Sequence, residues 1–269
     1  MRLTKHHGLG NDFLVLLDRE GTQPIDEDIA VAICERHRGV GADGLIRVTT
    51  ATGEDGSPRF AMELRNEDGS RAEMSGNGIS CLAQAVVRAG LVPDGVVEVD
   101  TDAGPRTVTV VETESPHRHR MRVAMGTPRL AAELPEWADG QILKAVQVDM
   151  GNPHVVCHVA DADDVPDLVE LGERINGATP GGTNVELLLP GAAGEVTMLV
   201  YERGVGPTLA CGTGAVAVAV AAHAWELAPA TATVHQPGGP ATVELAADGD
   251  GVAHLTLPVV AIAAVEWPL

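Results

Sequence analysis

Aromatic residues are scarce in this chain of 269, with only Phe13, Phe60, Trp137, Tyr201, Trp225 and Trp267 present. Its core must therefore be packed with Ala, Val, Leu and Ile, and at 45% hydrophobic residues the chain has enough of them to bury a large interior. Basic residues are also few: 18 Lys and Arg stand against 38 Asp and Glu, a net charge of −20. So acidic a chain repels phosphate backbones and anionic lipid, so neither nucleic acid nor a membrane surface is an expected partner. Long apolar runs are missing too. The stretches near 214–222 and 255–265 fall short of the roughly 18 residues that cross a bilayer. The start, Met1-Arg-Leu-Thr-Lys-His-His, has no apolar secretory segment, so a soluble cytoplasmic protein is expected. Cys34, Cys81, Cys157 and Cys211 form no CxxC pair, which speaks against zinc and against a disulfide scaffold. No metal site is expected, and the thiols should be reduced.

What is present is mostly strand. Leu14–Leu17, Val97–Val99, Thr107–Val111, Arg120–Met125, Val146–Met150, Val155–His158, Val196–Tyr201 and His254–Leu257 are short, apolar or β-branched, and bounded by turn formers. Three stretches read as helices. Asp26 to Arg38 carries a spaced apolar set with Gly39 as a C-cap, and Gly76–Arg88 and Gly212–Trp225 are Ala/Val-rich with almost no charge. A helix that is apolar all round is a buried helix. The expected fold is α/β (α+β): two pseudo-symmetric domains, each a curved, mostly antiparallel sheet around a central helix.

A repeat supports that reading. Ser75-Gly-Asn-Gly and Cys211-Gly-Thr-Gly open the two buried helices, 211 − 75 = 136 residues apart. Asn66 and Glu202 each stand nine residues before them (75 − 66 and 211 − 202). Asn11 and Asn152 are 152 − 11 = 141 apart, as are Asp43 and Asn184 (184 − 43 = 141). Matches in the same order at near-constant offset point to a duplication. Domains at 1–117 and 118–269 are expected, linked around Glu114-Ser-Pro-His, with the last strand, about 261–269, free to return to the first domain.

Gly39-Val-Gly-Ala-Asp-Gly44 matches G-x-G-x-x-G but follows a helix and leads into a strand, the reverse of a nucleotide-binding turn. It reads as a close backbone approach. Gly76-Asn77-Gly78 and Gly212-Thr213-Gly214 sit where helix N-termini belong, and amide N–H groups there bind an anion such as a carboxylate. Cys211 at such an end should have its pKa lowered below about 8.5. Its repeat partner Ser75 is likewise small and proton-bearing. Cys34, Cys81 and Cys157 lie in apolar segments and read as small core residues. Glu202-Arg203 at a strand end suits an ammonium–carboxylate ligand, and Asn66, Asn152 and Asn184 are either turn formers or ligand contacts. His154 beside Asn152 could orient a reacting group, while the other nine histidines read as surface. If each domain supplies one acid/base, a carbon placed between them has a donor on one face and a base on the other. That arrangement inverts a stereocentre, and the helix amides stabilise the carbanion's charge. It needs neither a metal nor another cofactor.

With these residues in view the chain resembles the diaminopimelate epimerase family over nearly its whole length. The likeness rests on Gly8-Leu-Gly-Asn-Asp-Phe13, Gly39-Val-Gly-Ala-Asp-Gly44, Arg65-Asn-Glu-Asp-Gly-Ser70, Ala72-Glu-Met-Ser-Gly-Asn-Gly78, Gly151-Asn-Pro-His154, Thr183-Asn-Val-Glu186, Tyr201-Glu-Arg-Gly-Val-Gly206 and Ala210-Cys-Gly-Thr-Gly214. It implies a cofactor-independent amino-acid epimerase that takes LL- to meso-diaminopimelate for lysine and cell-wall precursors, with a homodimer as one assembly open to it. It further implies that Ser75 and Cys211 occupy the two catalytic positions. Asn66, Asn152, Asn184 and Arg203 would hold the substrate's distal end, Asn11 and Glu202 the reacting end, and the Gly76-Asn77 and Gly212-Thr213 amides its α-carboxylate. His154 would support them.

The departures from the family pattern are specific. The family carries a catalytic cysteine where this chain has Ser75, an arginine at Ser80, commonly a glutamate at Pro207 and a phenylalanine at Leu187. A serine hydroxyl ionises far less readily than a thiol and makes a poor carbon base. Serine at 75 therefore reads as an engineered trap or as the mark of a divergent natural homologue, and the uncommon Ser80 favours the latter. Three alternatives stay open: a racemase for another amino acid, an enzyme that eliminates after one-sided deprotonation, and a binding-only paralogue.

Overall fold

A computed structural model describes residues 1–53, 56–72, 74–138, 140–246 and 251–268. The chain forms two compact units, one of residues 1–123 with 257–269, the other of residues 124–256. The first contains β1 (Arg2–Gly8), β2 (Asn11–Leu17), α1 (Glu27–Cys34), β3 (Gly44–Thr52), β4 (Pro58–Asn66), β5 (Arg71–Ala72), α2 (Gly76–Arg88), β6 (Val96–Thr101), β7 (Gly104–Ser115) and most of β8 (Arg118–Gly126). The second contains β9 (Arg129–Glu133), β10 (Ile142–Asp149), β11 (Pro153–Val159), α3 (Leu168–Ala178), β12 (Asn184–Pro190), β13 (Glu195–Glu202), β14 (Gly206–Thr208), α4 (Gly212–Ala224), β15 (Thr231–Gln236), β16 (Gly239–Glu244) and the start of β17 (Ala253–Glu266). Among the described residues no helix is long and apolar enough to cross a membrane.

Strand pairing repeats almost step for step. In the first unit β1 and β2 are antiparallel, β2 and β3 parallel, β3 and β4 antiparallel, β4 and β6 parallel, β6 and β7 antiparallel, and β7 and β8 antiparallel. In the second the same sequence runs through β10, β11, β12, β13, β15, β16 and β17. Each parallel step needs a crossover, and a helix supplies it: α1 and α2 in the first unit, α3 and α4 in the second. Pairing of β17 with β1 and with β8 closes the first sheet on itself. Its strands β1, β2, β3, β6 and β7 pack on α2, and β10–β13, β15 and β16 pack on α4. The two helices are buried along nearly their whole length, as their uncharged sequences require.

Four sequence expectations change on folding. The segment 114–117 is the end of β7 and the two-residue turn of the β7–β8 hairpin inside the first unit, with Ser115 opposite Arg118, and not a linker. A fourth crossover helix, α3, joins the three expected, with Asp167 capping it and Leu168, Leu171 and Ile175 marking its inner face. Helix α1 ends early, at Cys34, so Gly39 is no C-cap. The chain turns back instead, and the Val40 and Gly41 amides both donate to the Ile33 carbonyl at 2.9 and 3.1 Å. A Cβ on Gly39 would lie 2.4 Å from the Ala32 carbonyl oxygen, so the glycine is there for close approach. Histidines are the last case: His6, His119 and His158 are buried.

For His6 and His119 the reason lies in Gln84. This side chain is buried in α2 and accepts from His6 Nδ1 at 2.7 Å, while its amide nitrogen reaches the carbonyls of Val259 at 2.9 Å and His117 at 3.2 Å and Nδ1 of His119 at 2.9 Å. One glutamine thereby joins α2 to β1, to β17 and to the β7–β8 hairpin. Burial pushes the His6 pKa down to about 4. The unfolded chain then takes up a proton before the folded one, and stability falls as pH drops from about 6.5 toward 4. Replacing His6 by Gln should remove about 2 kcal/mol of the stability loss between pH 7 and pH 5. Urea unfolding of both proteins at the two pH values measures it, and equal losses would show that His6 does not titrate across this range.

Candidate active site

Both buried helices begin with the same device. The residue before the helix is extended, and its side chain accepts the amide of the third helical residue: Ser75 Oγ from Gly78 at 3.0 Å, Cys211 Sγ from Gly214 at 3.4 Å. Space is tight at that third position. A Cβ on Gly78 would sit 3.1 Å from Ser75 Cβ and 3.3 Å from Ile46 Cδ1, and one on Gly214 would sit 2.8 Å from Glu186 Oε1. Gly76-Asn77 and Gly212-Thr213 fill the first turns, where backbone N–H groups lack an acceptor within the helix.

In the first unit Asn11, at the head of β2, donates to Asp43 at 2.7 Å and accepts from Asn77 at 3.2 Å, which links the strand to the start of α2. Asp43 also accepts the Asp12 amide, and Arg36 bridges Asp12 and Asp43. Burial would raise the Asp12 carboxyl, but Arg36 and Lys5 outweigh it and hold Asp12 below the usual carboxylate range. Asn66 ends β4 and donates to Ser70 Oγ at 3.0 Å, away from the Asn11 cluster's hydrogen bonds. Ser80, at the position where the family pattern has arginine, is fully buried and donates to the Gly76 carbonyl at 2.7 Å.

In the second unit the polar groups are linked more tightly. Asn184 accepts the Arg203 amide at 3.0 Å and donates to the Pro153 carbonyl at 3.0 Å, joining β12, β13 and β11. Asn152 meets His154 Nε2 at 3.1 Å, and His154 Nδ1 meets Glu186 at 2.7 Å. Thr208 donates to Glu202 at 2.5 Å, and the Cys211 amide donates to Gln236 at 2.8 Å. The thiol itself lies against Glu202 and 3.4 Å from Thr213 Oγ1. Burial raises Glu202 above the ordinary carboxylate range, and the nearby Glu186 charge adds to this against the hydrogen bonds from Thr208 and Cys211. Among the described residues no three His, Cys, Asp or Glu side chains converge as a metal site would require.

Two readings of the sequence are corrected here. The Cys211 pKa is raised well above the ordinary thiol value, not lowered, because the thiol is buried and faces Glu202 and Glu186, which together outweigh the helix end. The other concerns the repeat: Phe13 pairs with Gly44, and His154 with Asn184, so the counterpart of Asn184 is Gly44 and not Asp43. Cys34, Cys81 and Cys157 are buried apolar residues, as their segments suggested. Glu186, Thr208 and Gln236 were missed. Glu186 alone carried a signal, a carboxylate in an otherwise apolar strand.

A sheet-dominated α+β fold with one capped, buried helix at the centre of each unit puts this chain in the fold class of solved racemases and epimerases. Its nature is narrower than that: a profile of the family described as Diaminopimelate epimerase matches residues 3–131 and 146–260, and the chain belongs to that family. It is 38% identical to the diaminopimelate epimerase of Heliobacterium modesticaldum, over all of both chains. It is 39% identical to that of Thermobifida fusca, over 98% of this chain and 96% of the other. Among solved structures, a probable proline racemase from Agrobacterium radiobacter matches with TM-score 0.74 and 17% identity, covering 100% of this chain and 93% of that one. A hydroxyproline epimerase from Agrobacterium vitis matches with TM-score 0.67 and 17% identity, covering 100% and 91%. The chain is an amino-acid epimerase.

The raised Cys211 thiol generates a direct test. Its alkylation by iodoacetamide, followed on the Cys211 peptide by mass spectrometry, should be slow at pH 7 and climb through pH 9. Glu202→Gln should speed it about ten-fold at pH 8, since removal of one facing charge lowers the thiol's proton affinity. A parent protein already fully reactive at pH 7 would show that the helix end dominates after all.

Proposed function

We propose that this chain interconverts LL- and meso-diaminopimelate, with Cys211 and Ser75 exchanging the α-proton on opposite faces of the carbon. The observation that carries it is the pair of identical caps, each a proton-bearing side chain at the head of a buried helix. The substrate's α-carboxylate takes the first-turn amides of Gly76-Asn77 and Gly212-Thr213, whose dipoles also stabilise the charge that moves onto it as the carbanion forms. Asn11 and Glu202 line the reacting end. Asn66, Asn152, Asn184 and Arg203 hold the distal ammonium and carboxylate, and His154 holds Asn152 in place.

The two acid/base groups are unequal. At rest Cys211 is a thiol beside a carboxylate whose own proton affinity is raised, so Glu202 is the group placed to receive the proton from sulfur. The thiolate so formed is a strong base for carbon. Ser75 carries a hydroxyl, a far weaker acid than a thiol, and is the slower partner. A second reading, an epimerase for a different amino acid that uses serine as it stands, is favoured by Ser75 itself.

Incubation of each diaminopimelate stereoisomer in heavy water separates these readings. The isomer whose α-proton meets Cys211 should exchange faster, and Ser75→Cys should raise epimerisation by orders of magnitude, each unit of proton-affinity mismatch being worth about 1.4 kcal/mol. Equal exchange of both isomers with no gain from cysteine would transfer the assignment to another amino acid. Absence of any exchange, in the parent and in Ser75→Cys, would leave a binding protein.

The distal pocket is tested separately. Arg203→Ala should weaken diaminopimelate binding by about ten-fold or more, and that of a monocarboxylic amino acid much less, because only the former loses a charged partner. Calorimetric titration of both ligands measures this, and equal losses would place the distal carboxylate elsewhere.

A further inference from the structure

The two helix starts differ in one buried side chain that the preceding scheme does not use. In the first unit the third helical glycine, Gly78, packs against Ile46 of β3, and in the second Gly214 packs against Glu186 of β12. Strand register makes the same equation: Phe13 pairs with Gly44 two residues before Ile46, and His154 pairs with Asn184 two residues before Glu186. An apolar Phe13 and Ile46 in one unit are therefore matched by His154 and Glu186 in the other. Both members of that pair are fully buried, 2.7 Å apart. Glu186 Oε1 takes the His154 bond, and Oε2 is buried with no hydrogen-bond partner among the described residues. A carboxylate placed so, where the duplicated unit has isoleucine, costs stability and calls for a use.

We propose that Glu186 is a positioning residue for the epimerase reaction, holding the His154 ring and through it Asn152, and setting the negative field at Cys211. A carboxylate only accepts hydrogen bonds, so the ring nitrogen facing it, Nδ1, carries a hydrogen, and Nε2, 3.1 Å from Asn152 Oδ1, holds that oxygen when it carries one too. A fully buried ring thus backs Asn152. The charged groups around the thiol are Glu202 on β13 and Glu186 on β12, with His154 on β11 facing both. Glu186 acts on the thiol without touching the substrate. This inference rests on the proposed role of Cys211, but its central measurements need no turnover.

Two variants separate the hydrogen bond from the charge. Glu186→Gln keeps an acceptor for His154 and removes the charge. Glu186→Ile, the first unit's own residue, removes both. Cys211 alkylation at pH 8 should be about ten-fold faster in each variant than in the parent. The downfield Nδ1–H proton of His154, assigned by its loss in His154→Phe, should persist in Glu186→Gln and vanish in Glu186→Ile. The KM for diaminopimelate should stay within about two-fold in the Gln variant and rise about ten-fold in the Ile variant. Should Glu186→Ile not fold, His154→Phe with Glu186→Ile restores the apolar pair of the first unit, and its KM should rise in the same way. Parent-like alkylation in Glu186→Gln, or a parent-like KM in the folded Ile or double variant, overturns the proposal. If the parent exchanges no diaminopimelate α-proton, the substrate reading fails alone, and the alkylation and proton signals still decide the role of Glu186.

Discussion

The hydrogen bond from a helix's third amide to the side chain that precedes the helix is the constraint on which both units turn. It calls for a small polar residue at the cap, leaves little space three residues on, and brings the cap's proton-bearing atom to the positive end of a helix dipole. Because α2 and α4 are buried, that end is also largely shielded from water. A bond that would otherwise only start a helix thus also places a reactive group beside a set of amides able to hold a carboxylate. The sheets follow from the same helices: each must cover an almost uncharged cylinder, and the strand order repeats because the cylinder does.

The two units share one backbone plan but not one electrostatic character. Around Ser75 the neighbours are Asn11, Asn77 and Ile46, with the charges of Asp12, Asp43 and Arg36 paired among themselves. Around Cys211 stand Glu202, Glu186 and His154. The second environment favours a protonated thiol and a nearby carboxylate to receive its proton. The first offers a neutral hydroxyl. In the proposed reaction such a division sets the two proton transfers at different rates, whatever the amino acid.

Sequence patterning carried further in some places than in others. The caps, their glycines and the buried helices were legible because each depends on residues within four positions of one another. The three core cysteines were legible from the apolar segments around them. Helix α3 escaped because its apolar residues are few, although its place in the repeat, opposite α1, implied it. The Asp43–Asn184 match failed by a single residue, since spacing alone cannot see where a turn adds or drops one; only the pairing of Phe13 with Gly44 and of His154 with Asn184 sets the register. Buried His6 was read as surface because nothing near it in sequence reveals Gln84, 78 positions away.

By itself, then, the sequence determined the duplicated α+β plan, the two helix caps and the family to which the chain belongs, all properties of local patterns and their spacing. Tertiary structure alone decided the direction in which Cys211 is shifted and the partner of Glu186. The helix end, visible in the sequence, lowers a thiol's proton affinity. Burial and two carboxylates raise it, and those carboxylates reach Cys211 from strands β12 and β13 only once the sheet has formed. A dipole is built into the order of residues, whereas desolvation and convergent charge exist only in the folded chain, where the low dielectric makes them the stronger force.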